Sequence, residues 1–408
     1  MNATKPDTRA AAARLIVILG GLMAFGPITI DMYLPAMPQI ATALDTGPSQ
    51  VQLTLTACLI GLAAGQLVAG PLSDSIGRRR PLLIGLSIYT LVSLACALAP
   101  SIWAMTGLRL LQGFGAAAGI VISRAVVRDV YSGTALAKKF STLILVFGVA
   151  PILAPLAGAQ VLRFTDWRGI FLVFAVFGLL LLVVAALGLP ETLPAQHRRA
   201  GSLTGLLRTS RRLLTDRLFV GYAASSGLAF AGMFAYISGS SFVLQGVHGL
   251  SPVQFSIVFG VNALGLIAVS QVNGRLVGRV SERRLLAIGL ISAATGGLLL
   301  VVVAAGGFGL AGILTALFIA VASVGLVLPN GTALAMADHP DSAGMASALL
   351  GVVQFVIGGS AAPLVGLGGT DSVLPMAVVM ACCGVLALGV FTALTRSRTS
   401  VAVLEPVG

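Results

Sequence analysis

The feature that most limits the fold is a pair of long apolar runs, Val51 to Ala69 and Leu82 to Ala99, with twelve residues between them. Each run has about 18 to 20 residues, enough for a helix rising 1.5 Å per residue to cross a hydrocarbon core of about 30 Å. The connector Gly70-Pro-Leu-Ser-Asp74-Ser-Ile-Gly77-Arg78-Arg79-Arg80-Pro81 is too short for a domain and too charged for lipid. It is a tight loop at one membrane face, and its consecutive arginines assign it to the cytoplasmic side.

The pattern repeats along the chain. Twelve spans are predicted, at about 15–39, 51–71, 82–99, 102–123, 140–162, 168–189, 218–244, 253–273, 284–304, 308–330, 344–366 and 373–395. Connections are short except Pro190 to Arg217, a polar stretch with six arginines. This predicts an N-terminal six-helix half at 1–189, a cytoplasmic loop at 190–217 and a C-terminal half at 218–408. The fold class is an all-α polytopic membrane protein. Only 9% of the 408 residues are charged, against about 25% in soluble domains. Apolar runs that are continuous rather than alternating exclude a β-barrel.

All but three of the 25 Lys and Arg (Arg109, Arg163 and Arg168) fall in segments that are cytoplasmic if both termini are cytoplasmic. That asymmetry fixes the expected topology. It also accounts for the net charge of +12 without nucleic acid as a partner. Cys58, Cys96, Cys382 and Cys383 lie in apolar runs, so neither disulfides nor a metal site is expected. The polar N-terminus and the long run after it do not read as a cleaved signal. No Gly-Lys-Ser or Gly-Lys-Thr loop is present, and no soluble segment is large enough for an ATPase. Transport without a cofactor, rather than enzymatic catalysis, is expected, driven by an ion gradient or the substrate's own.

Two ionisable side chains fall within spans. Asp31 is the acidic one; a charge there is expensive and marks a functional site, unless the first span ends near Pro27 and Asp31 caps it at the interface. Arg109 is the basic one. At 1.5 Å per residue, Asp31 lies roughly 12 Å and Arg109 roughly 10 Å below the periplasmic ends of their spans. The two can therefore share a level, as a functional couple for proton and drug or as a fixed structural pair.

Several motifs resemble those of the major facilitator superfamily and, within it, the Bcr/CflA branch of drug/proton antiporters. Gly70, Asp74, Gly77, Arg78 and Arg79 resemble the gating loop between helices 2 and 3, with Ser75 where the family usually has a basic residue. Gly274 to Arg283 repeats that loop weakly, at an offset of 204. Asp31-Met-Tyr33-Leu-Pro-Ala-Met-Pro38 resembles the first-helix signature, and Arg109-Leu-Leu-Gln112-Gly113-Phe-Gly115 that of helix four. Gly148-Val-Ala-Pro151-Ile-Leu-Ala-Pro155-Leu-Ala-Gly158 resembles the Gly/Pro motif of antiporters. Asp166-Trp167-Arg168 and Pro190-Glu191-Thr192 look like landmarks whose plain reading is interfacial anchor and helix stop.

The resemblance implies two six-helix halves rocking about a central site. It gives Asp31 a role in proton and substrate coupling, which the expected couple extends to Arg109; the substrate-cavity candidates are Tyr33 and Gln112, with Tyr236 and Asn330 favoured because spans seven and ten line the pore in this fold. It implies export of small amphipathic drugs, chloramphenicol- or bicyclomycin-like, across the cytoplasmic membrane, with a sugar or other metabolite as the alternative cargo. Expected partners are the drug, protons and the lipid bilayer, and the chain is expected to act as a monomer.

Overall fold

The computed structural model describes residues 9–131, 133–198, 203–339, 343–369 and 372–395. Lys5, Arg199, Arg396 and Arg398, which entered the orientation argument, lie outside them. The first half comprises α1 (Arg9–Asp31), α2 (Met37–Ala43), α3 (Pro48–Ile76), α4 (Arg79–Ala97), α5 (Ile102–Val130), α6 (Gly133–Val161) and α7 (Trp167–Gly188). A connecting helix α8 (Leu203–Thr215) leads to α9 (Arg217–Ser241), α10 (Pro252–Leu276), α11 (Glu282–Gly306), α12 (Gly309–Ala337), α13 (Ala343–Leu367) and α14 (Leu374–Leu394). Among the described residues there is no β-strand.

Eleven helical stretches among the described residues are long and apolar enough to cross a membrane, the first running from Arg14 to Ala43 through α1 and α2, and α6 adds the shorter apolar stretch Leu145–Val161. Their outer faces suit lipid. On α7, Leu172, Val176, Leu179, Val183 and Leu187 are all exposed at helical spacing. Water would reject such a stripe, whereas hydrocarbon accepts it. Helix starts follow the polar residues between runs. Ser101 accepts a hydrogen bond from the Ala104 N–H, Asp166 from Arg168, and Ser251 with Gln254 closes a capping box.

Two expectations need correction. The first span is not one helix: α1 stops at Asp31, a short 3-10 turn covers Leu34–Ala36, and α2 follows. The prolines are the cause. Pro35 has no N–H for the carbonyl of Asp31, and Pro38 none for that of Leu34. The connection 190–217 is also not simply a loop, since its second part forms α8, with Leu213 buried and Arg208, Arg211 and Arg212 exposed.

Within lipid, helices associate by close backbone packing rather than by a hydrophobic drive. The α3–α5 seam shows this. A Cβ on Gly61 would lie 2.0 Å from the carbonyl oxygen of Leu110, and one on Gly113 would lie 2.1 Å from that of Cys58. On the next face of α5, a Cβ on Gly115 would lie 2.8 Å from the carbonyl of Gly85 in α4. The glycines that follow Arg109 in sequence thus seat α5 between α3 and α4.

The halves meet along α3 against α13 and α6 against α10. Hydrogen bonds between them gather at the end remote from the chain termini. Ser49 donates to the Pro363 carbonyl (3.5 Å), Thr56 to Gly359 (2.7 Å), the Gln52 amide to Ser238 (3.3 Å) and Ser256 to Pro155 (2.9 Å). We call this the far end; the near end carries Arg9 and Leu394.

Gly113→Leu drives a side chain into the α3 backbone and is expected to abolish the monodisperse folded peak in fluorescence-detected size exclusion. Gly107→Ala, where nothing lies within 4 Å of the added Cβ, is expected to leave that peak unchanged.

Candidate functional site: a broken first helix held by both halves

A helix end leaves its last carbonyls without intrahelical donors. At the end of α1 the Thr29 carbonyl receives Arg109 Nη2 at 3.1 Å. Arg109 Nη1 donates to Gln112 Oε1 at 2.6 Å, and Gln112 Nε2 donates to Ser93 Oγ at 2.7 Å. The Thr29 and Tyr89 hydroxyls share a hydrogen bond of 3.0 Å. The guanidinium carbon stands 4.6 Å from the centre of the Tyr33 ring and 5.9 Å from that of Phe171. Arg109 is wholly buried, with its Nε unpartnered. A buried cation is costly; here carbonyl and amide oxygens, aromatic faces and the negative end of the α1 dipole offset that cost.

The expected Asp31–Arg109 ion pair is not made in this conformation. Among the described residues Asp31 has no hydrogen-bond or ion-pair partner. It is 6% exposed and interacts electrostatically with Tyr236 of α9, in the other half. Asn262 Nδ2 of α10 donates to Tyr236 Oη at 2.9 Å, and the Tyr236 ring stacks on Phe259 with centroids 5.5 Å apart. With its oxygen accepting from Asn262, the phenol keeps its own proton free to donate. Arg109 therefore touches the same turn of backbone as Asp31 but not its carboxylate. Opposite charges at one depth suggested a pair; the carbonyl freed at the helix end took the cation instead.

The other cavity candidates also separate. Tyr33 is fully buried inside the first half, its hydroxyl shared with Thr54 at 2.9 Å and donating to Met105 Sδ at 3.9 Å. Gln112 belongs to the Arg109 network. Asn330 lies toward the near end of α12, where its Nδ2 donates to Asn273 Oδ1 at 2.6 Å and to the Leu326 carbonyl at 2.7 Å. Of the four, Tyr236 is the one that has Asp31 as an electrostatic neighbour. Sequence reading passed over Asn262 as a partner of Tyr236, and Gly158 as a support of the break. A Cβ on Gly158 would lie 2.2 Å from the Met32 carbonyl, so the antiporter-like motif of α6 leaves room for the turn after Asp31.

The gating-loop residues form a second, near-end cluster. Arg78 pairs with Asp74 and donates through Nε to Asp129 Oδ2 (2.9 Å), while its Nη1 also reaches Ser73 Oγ (2.9 Å). Thr192 donates to Asp129 at 3.0 Å, and Arg79 Nη2 to the Ala186 carbonyl at 2.6 Å. Gly70 sits on the same α3 end, its carbonyl accepting from Ser73 at 2.8 Å. Glu191 is more than a helix stop. Its carboxylate accepts from the backbone N–H groups of Arg78 (2.8 Å), Arg79 (3.2 Å) and Leu193 (3.0 Å), capping the start of α4. Gly77 is required twice over: its φ is +101°, and a Cβ there would lie 2.4 Å from Glu191 Oε2.

Burial raises the Glu191 pKa, but the three N–H groups and the Arg198 charge outweigh it and hold the carboxyl below its ordinary value of 4.5. A carboxylate with a lowered folded-state pKa stabilises the fold at neutral pH, and that contribution is lost as the pH falls through the acid range below 4.5. Glu191→Ala is expected to cost about 1 kcal/mol, the usual worth of an N-terminal cap. In thermal unfolding of the detergent-solubilised protein, the difference from wild type should shrink as the pH is lowered.

Residues 17–363 match the family described as Major Facilitator Superfamily. An uncharacterized MFS-type transporter, YdgK, of Bacillus subtilis (strain 168) is 45% identical over 94% of this chain and 96% of its own length. A bicyclomycin resistance protein homolog of Haemophilus influenzae is 34% identical over 93% of this chain and 96% of its own. The crystal structure of a bacterial homolog of the human lysosomal transporter Spinster, inward-facing and unoccupied, superposes with a TM-score of 0.76. It covers 96% of this chain and all of that one at 15% identity, a likeness of fold. With a family match across most of its length and relatives named for drug resistance, this chain belongs to the Major Facilitator Superfamily as a multi-pass membrane transporter.

Proposed function

We propose that this transporter exports small amphipathic drugs of the bicyclomycin and chloramphenicol type in exchange for protons, across the cytoplasmic membrane. Both termini lie in the cytoplasm. The observation that carries the reading is the place of Asp31: a buried acid at the end of a broken membrane helix, three residues before the carbonyl that receives Ser241 of the second half. The named function of the bicyclomycin resistance relative supports the cargo class. The arginine-rich near-end loops support the orientation.

On this reading the conformation is inward-facing, because the bonds between the halves gather at the far, periplasmic end. Asp31 is the proton site. Charged, it draws on the free phenol proton of Tyr236; protonated, it lets the second half move relative to α1. Arg109 holds the last turn of α1 in place through Thr29 and so fixes the depth of Asp31. The apolar composition of the spans suits cargo recognised through its hydrophobic parts. The gating loop, Gly70 to Arg79, ties α3 to α5 and α7 so that the first half moves as one body.

Uptake of labelled drug into inside-out proteoliposomes tests the reading. An imposed pH gradient is expected to drive accumulation by the wild type and none by Asp31→Asn, with both proteins equally folded in the membrane. Wild-type accumulation by Asp31→Asn contradicts the assignment. Arg109→Ala is expected to lose transport as well.

A further inference from the structure

Near Asp31, beyond the break, the second half takes hold of the same helix. Leu34 has lost its α-helical donor because Pro38 has no N–H. Its carbonyl takes the Met37 N–H in a 3-10 bond and still has a lone pair to satisfy. Ser241 Oγ, fully buried at the end of α9, donates to it at 2.6 Å. Gln245 Nε2 donates to Ser241 Oγ at 2.8 Å and to the Pro35 carbonyl at 3.4 Å. The donors and acceptors balance: each amide hydrogen is used once, and the Ser241 hydroxyl accepts one bond and donates one. From Phe242 to Val247 the backbone is a π turn, closed by the His248 N–H on the Val243 carbonyl (3.2 Å). Such turns are rare and cluster at functional sites.

We propose that Ser241 and Gln245 are positioning residues: a polar latch by which the second half grips the broken first helix and which must release each time the far end opens. The proposal rests on the transporter reading above. It follows from where the bonds lie. They join the two halves at the end sealed in this conformation, and they end on carbonyls next to the turn that bears Asp31. Motion of the second half away from α1 breaks them, and their loss leaves no cost in the far-open state, where water reaches the freed carbonyls.

The test uses the full chain in lipid nanodiscs, with the four cysteines replaced and spin labels at the exposed near-end positions Arg80 and Arg279. Near-open and near-closed states then differ in label separation. Ser241→Ala and Gln245→Leu are each expected to raise the near-closed population about fivefold, the weight of one net hydrogen bond. Ser241→Thr, which keeps the hydroxyl, is expected to restore the wild-type ratio. If Ser241→Ala does not fold, Gln245→Leu, at a half-buried position, decides the matter. Unchanged populations in the folded variants, with pH-driven drug flux intact, overturn the latch alone. A single separation in wild type with and without drug, together with no flux, overturns the transporter reading and the latch with it.

Discussion

A backbone carbonyl inside a membrane must find a donor, because hydrocarbon offers none and leaving it bare costs several kcal/mol. Pro35 and Pro38 break the first membrane-spanning helix after Asp31, and side chains of both halves reach carbonyls on either side of that break. The first half sends Arg109 to Thr29; the second sends Ser241 and Gln245 to Leu34 and Pro35. Asp31 sits between the two grips. A helix broken at this depth is tolerable only when buried in protein or facing a cavity, and here both halves supply the donors.

This arrangement gives Arg109 a different part from the one that charge complementarity suggests. A guanidinium without a carboxylate in reach is costly in the membrane, and the protein offsets that with amide, carbonyl and aromatic groups already fixed inside the first half. Gln112 and Ser93 continue the network to α4, and the glycines at 61, 113 and 115 let α3, α4 and α5 approach closely enough to close it. The first half is thereby a rigid frame with the α1 break at its edge. The Glu191 cap and the Arg78–Asp129 pair do the same at the near end.

Much of the fold was legible in the sequence. Apolar runs with capping residues at Ser101, Asp166 and Ser251 mark helix ends directly, and eleven of the twelve expected spans run unbroken between them or slightly beyond. The break in the first was signalled by Pro35 and Pro38, whose missing N–H groups are visible without coordinates; length and hydropathy alone hid it. Asp31 and Arg109 stood out because charge is rare in such runs. The Thr29 carbonyl that receives Arg109 did not, since a backbone acceptor leaves no mark in side-chain chemistry. Asn330 shares its polar character with Tyr236, but a helix starting at Gly309 carries it roughly 31 Å from the far end at 1.5 Å per residue. Depth arithmetic applied to both would have separated them. Glu191 and Asp129 come from elements distant in sequence, so their meeting with Arg78 depended on the packing of α5 and α7.

Whether Asp31 exchanges its proton as cargo binds can be measured without transport. Adding drug to the detergent-solubilised protein in weakly buffered solution, with a pH-sensitive dye, reports protons released on binding. Wild type is expected to release a proton on binding bicyclomycin- or chloramphenicol-like drug, and Asp31→Asn to bind with no release. Equal release from both proteins would contradict the central claim.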